Sequence, residues 1–166
     1  IAQPPLYKVT RGRSERYIKD DQEMEAYLID EGTTGEALVL ADGTQIGGED
    51  LRDRVRQAAV FCATLDRLAL RASRSLIEQA ALAGALDPAA GDEEAQRTAE
   101  RMNWIAEEGE DTWDASFTNG TLRLSRIVRG VEDQAALDAG LLSSQDAQRL
   151  HERAAGLRDL YVEPSV

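Results

Sequence analysis

Thr112-Trp113-Asp114-Ala115-Ser116-Phe117 alternates along the chain, Asn119-Gly120 follows, and Leu122-Arg123-Leu124-Ser125-Arg126-Ile127-Val128 pairs back. Alternation with period two is the signature of a half-buried strand. Asn-Gly supplies the two consecutive positive-φ positions of a tight hairpin turn. This hairpin lies beyond four helical segments, the last three consecutive, so helices and strands are grouped and do not strictly alternate. Grouping of this kind predicts an α+β fold, mainly helical, with two or three β-hairpins.

Working upstream, Gly91–Gly109 is predicted helical, opened by Asp92, Glu93 and Glu94, with Ala95, Ala99, Met102 and Ile105 or Ala106 on its apolar face. Ser73–Leu86 is a second helix, with Leu76, Ile77, Ala80 and Ala81 inward and Asp87-Pro88 as its stop. The longest helix precedes it, and its stripe is Leu51, Val55, Ala58, Cys62, Leu65 and Ala69. Two small hairpins lead the chain. Leu6–Thr10 and Glu15–Lys19 flank Arg11-Gly12-Arg13, while Ala37–Leu40 and Thr44–Ile46 flank Asp42-Gly43. Between them, Asp20 or Asp21 caps a short helix through Leu28. Downstream, Val131–Leu142 reads as a short irregular helical stretch. Ser143 or Ser144 then caps a final helix to Tyr161, with Ala147, Leu150, Ala154, Leu157 and Tyr161 on one stripe.

The 166 residues carry 31 acidic and 19 basic side chains, a net charge of −12. The imbalance is uneven. Residues 1–19 hold Lys8, Arg11, Arg13, Arg16 and Lys19 against Glu15 alone, a net of +4, and the remaining 147 residues carry −16. A basic strip suits a polyanion, and an acidic body repels one. Charge runs are more often solvated faces than sites, so the strip alone decides nothing. No apolar run reaches the roughly 18 residues of a membrane span, and no basic-then-apolar leader is visible, so a cytoplasmic protein without a membrane partner is expected. A single cysteine fits a reducing compartment. Ile1 is not an initiator methionine, and the chain reads as a piece of a longer one.

No complete catalytic set is present in the sequence. His151, the one histidine, sits mid-helix beside Leu150 and reads as structural. Cys62 lies on an apolar stripe, where a thiol behaves as a small hydrophobe. Glu107, Glu108, Glu110 and Asp111 lack the spacing of a cation loop and read as a solvated helix end. Trp104, Trp113 and Phe117 read as core, not as base-stacking platforms. No Gly-rich nucleotide cradle occurs.

Ile1-Ala2-Gln3-Pro4-Pro5-Leu6-Tyr7-Lys8-Val9, followed by Arg11-Gly12-Arg13 and Tyr17-Ile18-Lys19-Asp20-Asp21, resembles a segment of the bacterial DNA gyrase B subunit family. The topoisomerase IV counterpart shares Pro-Pro-Leu-Tyr and tends to diverge soon after. Residues from about 30 to 160 resemble the large insertion in the TOPRIM region of many Gram-negative gyrase B subunits, through Trp113–Phe117 and Leu124–Val131. The resemblance divides the chain into residues 1–30, a terminal TOPRIM strand with hairpin and short helix, and residues 31–166, an acidic insertion domain. The family's Glu-Gly-Asp, Asp-x-Asp-x-Asp-Gly and Gln-Arg-Tyr-Lys-Gly-Leu-Gly motifs and its ATPase domain are absent from this sequence. The resemblance therefore implies no catalytic, metal or cofactor residue in these 166 positions, with ATP and Mg2+ expected elsewhere in a parent type II topoisomerase. The parent's implied partners are double-stranded DNA and the DNA gyrase A subunit. Lys8, Arg11 and Arg13 are the expected DNA contacts. The alternatives are a stand-alone acidic DNA mimic or regulator, which leaves the Pro-Pro-Leu-Tyr-Lys opening unexplained, and a small hydrolase built on the carboxylates at 107–111.

Overall fold

A computed structural model describes residues 4–106 and 112–161. In chain order the elements are β1 (Tyr7–Arg11), β2 (Ser14–Ile18), α1 (Asp21–Thr33), β3 (Ala37–Val39), β4 (Gln45–Gly47) and α2 (Gly48–Leu68). Then come α3 (Arg74–Ala83), α4 (Asp92–Trp104), β5 (Asp114–Thr118), β6 (Thr121–Val128), β7 (Val131–Leu137), α5 (Ala139–Leu142), α6 (Gln145–Ala155) and a 3-10 turn at Arg158–Leu160. The fold is α+β, and among the described residues the strands form three separate antiparallel sheets: β1-β2, β3-β4 and β5-β6-β7. The chain divides into two compact units, Ile1–Arg56 and Gln57–Val166, with the division inside α2.

In the first unit both hairpins form where the sequence predicts them. Gly12 takes φ +60 in the β1–β2 turn and Gly43 takes φ +86 in the β3–β4 turn. Asp20 caps α1 by accepting from the Glu23 N–H at 2.8 Å. The helix runs past the expected Leu28 to Thr33, where the Thr33 and Thr34 hydroxyls donate back to the Ile29 and Asp30 carbonyls and Gly35 leaves the helix at φ +81. The Thr34 hydroxyl thus reaches a carbonyl of the last turn, and the Thr33 hydroxyl adds a second bond to a carbonyl already in the helix ladder.

The second unit holds the core. Phe61, Leu65, Leu76, Ile77, Leu86, Leu122, Leu124, Leu137, Leu141, Leu150 and Leu157 are essentially inaccessible. Phe61, the largest of them, lies off the predicted α2 stripe, which it displaces inward by one residue from Cys62. Alanines line the helix contacts: Ala80 and Ala81 on α3, Ala95 and Ala99 on α4, and Ala147 and Ala154 on α6 are all buried. Small side chains let helix axes approach closely without voids.

Helix ends differ from expectation for identifiable reasons. Ser73 caps α3, but the helix stops at Ala83, well before Pro88. Gly84 takes φ +90, and the Ala85 N–H reaches back to the Ala80 carbonyl at 2.8 Å, the Schellman closure that glycine favours. At α4, the Glu94 carboxylate accepts from the Gly91 N–H at 2.9 Å. The helix ends at Trp104 and leaves Ile105 exposed, so Ile105 is not part of the apolar face; the predicted continuation over residues 107–109 lies outside the described residues. Ser144, not Ser143, caps the final helix, which ends at Ala155 and gives way to the 3-10 turn before Tyr161.

The main correction concerns Val131–Leu142. Residues 131–137 are the strand β7, and only Ala139–Leu142 is helical. Arg129 and Gly130 take φ +52 and +81, a second two-residue turn of the same kind as Asn119-Gly120 at φ +50 and +72. The predicted hairpin is therefore a three-stranded meander with unbroken register from Val128↔Val131 to Leu122↔Leu137.

One edge of this sheet is closed by side chains of α4. Gln96 Nε2 donates to the Ala115 carbonyl at 2.7 Å, the Phe117 N–H donates to Asp92 at 3.1 Å, and Asn103 both accepts from the Trp113 N–H and donates to its carbonyl. Asp92, Gln96 and Asn103 thereby stand where a fourth strand would.

Two outcomes test this packing. Phe61→Ala leaves a cavity among Leu and Ala side chains and is expected to cost about 3–5 kcal/mol, read from urea denaturation. For Glu94, the Gly91 N–H, the Glu94 N–H and the Arg97 guanidinium hold the carboxyl below its usual range. A carboxyl lowered on folding stabilises the fold above its unfolded pKa, and that contribution is lost as pH falls through the folded value. Glu94→Gln is expected to lower the thermal midpoint at neutral pH and to flatten its decline on acidification, measured by circular dichroism.

Candidate nucleic-acid interface

The basic strip is the β1–β2 hairpin and its exit. Register pairs Lys8 with Tyr17, Val9 with Arg16 and Tyr7 with Ile18. Strand alternation therefore places Lys8, Glu15 and Tyr17 on one face and Tyr7, Val9, Arg11, Arg16 and Ile18 on the other. Ile18 is fully buried, whereas Tyr17 is 59% exposed, so the Lys8 face is the open one.

The three expected DNA contacts do not share a face. Lys8 lies on the open face, with Nζ 2.8 Å from Glu15 and 5.8 Å from the centre of the Tyr17 ring. Arg11 lies on the opposite face and is ion-paired with Glu31 of α1. Arg13 sits exposed in the turn and makes no ion pair among the described residues.

The other cations of the strip are engaged by α1 and its cap. Arg16 stands 3.9 Å from Glu23 and 5.2 Å from the Tyr27 ring centre, and Lys19 stands 3.9 Å from Asp20. The Tyr7 hydroxyl donates to Asp21; that bond, with desolvation and the Asp21 charge, pushes the Tyr7 pKa up and keeps the hydroxyl a donor. Glu31, Glu23 and Asp21 were not among the expected site residues. Their signal was present in the sequence as an acidic helix directly following a basic hairpin. Exposed ion pairs of this kind contribute little to stability, about 0–1 kcal/mol each, so a phosphate can replace the carboxylate at small cost.

The remaining sequence candidates belong to the second unit. His151 Nε2 is 3.3 Å from Asp87 in the second unit, beside a cavity of about 380 Å³ also lined by Gly84, Glu94, Arg97 and Arg158. Cys62 is half-buried against the core as a free thiol. Trp113 and Phe117 pack on the core as expected, and Arg126 lies 4.5 Å from the Trp113 ring centre while bonding Asp133. Trp104, expected in the core, is instead exposed at the end of α4. The carboxylates at 107–111 lie outside the described residues. Among the described residues no cluster of three His, Cys, Asp or Glu side chains has the geometry to hold a metal ion, and no helix is long and apolar enough to cross a membrane.

Residues 5–30 match the family model described as GyrB, hook, and those residues are the hairpin and most of α1. Across 161 residues the chain is 44% identical to the DNA gyrase B subunit of Caulobacter vibrioides, a match covering 97% of this chain and 20% of that protein. The chain is similar to a segment of the DNA gyrase B subunit. The gyrase B protein of Rickettsia felis is 28% identical over 167 residues, again covering 97% of this chain and 20% of that protein. The type 2 topoisomerase B subunit of Aquifex aeolicus is 47% identical over 51 residues, 31% of this chain and 6% of that protein. The chain thus spans about one fifth of the length of the gyrase B relatives that match nearly all of it. The short hook match contains Lys8, Arg11 and Arg13, whereas the similarity to gyrase B continues through the acidic second unit.

Proposed function

We propose that this chain is a segment of the B subunit of a DNA gyrase, an ATP-dependent type II topoisomerase that negatively supercoils DNA, and that the segment is a scaffold and contact element of that enzyme. The observation that carries the reading is similarity to gyrase B over nearly the whole chain, beginning in a hook match that coincides with the basic hairpin. Residues 1–30 are the end of the TOPRIM core, and residues 31–166 are an acidic insertion. Catalytic carboxylates, Mg2+, the partner A subunit, and the ATPase site belong to the rest of the cytoplasmic enzyme. Lys8, Arg11 and Arg13 contact the DNA backbone, Arg13 directly, Lys8 by exchanging Glu15 for phosphate and Arg11 by exchanging Glu31. The acidic body cannot lie on phosphates without repulsion, so it serves as a spacer and brace for neighbouring domains.

Deleting residues 33–160 from the gyrase B protein that carries them, with reconstitution by the gyrase A protein, is expected to reduce ATP-dependent supercoiling far more than nucleotide binding. Full supercoiling by the deletion would overturn the bracing role. For the hairpin, Lys8→Ala and Arg13→Ala in that same protein are each expected to lower the slope of log affinity against log salt by about 0.9 for duplex DNA. An unchanged slope for both would remove the proposed contacts.

A further inference from the structure

Helix α1 turns one stripe toward the cations of the hairpin. Glu23, Tyr27 and Glu31 recur every four residues and so stand one above another along the helix. Opposite them, Arg16 and Arg11 share one face of the hairpin, two ladder pairs apart. Glu23 stands 3.9 Å from Arg16, the Tyr27 ring centre lies 5.2 Å from the same guanidinium, and Glu31 pairs with Arg11. Asp20, at the cap, stands 3.9 Å from Lys19. The acids in helix order therefore meet Lys19, Arg16 and Arg11 in order back along the hairpin. Separate contacts hold α1 in that place. Asp30 Oδ1 lies 2.9 Å from Arg52 Nε, the Tyr7 hydroxyl donates to Asp21, and Thr33 is buried. Lys8 and Arg13 are outside this arrangement: the partner of Lys8 is Glu15 of the hairpin itself, and Arg13 makes no ion pair among the described residues.

We propose that α1 is a built-in competitor for duplex DNA, in which Glu23 and Glu31 mask Arg16 and Arg11 until phosphates displace them. The inference rests on the reading of the hairpin as a DNA contact and adds to it a restraint on affinity. A carboxylate offers a guanidinium the same paired acceptor oxygens that a phosphate offers, so the two compete for one geometry. A displaced Glu31 remains anchored on α1, close to the phosphate that replaced it, and like charges held together oppose binding. The hairpin consequently binds DNA more weakly than its five cations would if they were free. Removing a masking charge is therefore expected to strengthen binding, the reverse of what removing a cation does.

The test is the affinity of the gyrase B protein that carries this segment for a fluorescent DNA duplex, read by anisotropy. Glu31→Gln is expected to tighten binding about three- to five-fold at low salt, the scale of one exposed ion pair. Glu23→Gln, whose amide oxygen can still accept from the Lys19 N–H, is expected to do the same through Arg16. Glu25→Gln removes an equal charge from α1 at a residue that pairs with no cation among the described residues, and is expected to leave affinity unchanged. In an Arg11→Ala background, Glu31→Gln is expected to bring no gain, because the masked guanidinium is gone. Tightening by neither Glu31→Gln nor Glu23→Gln, an equal gain from Glu25→Gln, or a gain from Glu31→Gln that survives Arg11→Ala would each overturn the proposal. The DNA contacts themselves are judged by the salt slopes of Lys8→Ala and Arg13→Ala. Lowered slopes there, with no gain from Glu31→Gln or Glu23→Gln, overturn the masking and leave the contacts in place.

Discussion

The second unit rests on the contact of α4 with the edge of β5. A strand at the end of a sheet leaves every second N–H and C=O without a partner, and a buried orphan of this kind costs about 1–3 kcal/mol. Asp92, Gln96 and Asn103 supply those partners from one face of a helix, at spacings of four and seven residues. Their polar tips fix the height and rotation of α4 against the sheet. Once α4 is fixed, Ala95 and Ala99 on a neighbouring stripe meet the buried Leu and Ala side chains of the core. Polar satisfaction at the edge and apolar packing beneath it are two consequences of one docking geometry.

The hairpin of the first unit is held differently. Its cations are exposed and mostly paired with carboxylates that follow within the next helix. Such pairs are weak in water, so the hairpin is held chiefly by its ladder, its Gly12 turn and the burial of Ile18. That arrangement suits a surface that exchanges one anion for another. The carboxylates of α1 offset much of the strip's positive charge, which is why net charge alone was a poor guide to it.

The sequence showed most of the fold through periodicity and turn chemistry. Asn119-Gly120, Asp42-Gly43 and Arg11-Gly12-Arg13 mark hairpins that the structure contains, and the stripes of α3 and α6 are buried as their spacing predicts. Where the reading failed, a competing local rule prevailed. Arg129-Gly130 carries the turn that makes Val131–Leu137 a strand, but arginine is not a residue that announces positive φ. Gly84 ended α3 before Pro88 was reached, because a left-handed glycine satisfies the last carbonyls and proline merely prohibits continuation. Phe61 was passed over because Cys62 next to it fitted the same stripe, and a stripe drawn from spacing cannot tell adjacent residues apart.

For the candidate site, sequence alone determined the clustering of five cations in the first nineteen residues, the hairpin that carries them, and the resemblance to gyrase B. These are properties of neighbouring residues and of period-two alternation, which need no distant contact. Tertiary structure decided which face of the hairpin is open, that Glu31 engages Arg11 from twenty residues away, and that the β5 edge is closed by side chains of α4. Those outcomes depend on which surfaces meet in space. The energies that choose among such meetings come from burial and hydrogen-bond satisfaction summed over elements far apart in the chain, which no local pattern records.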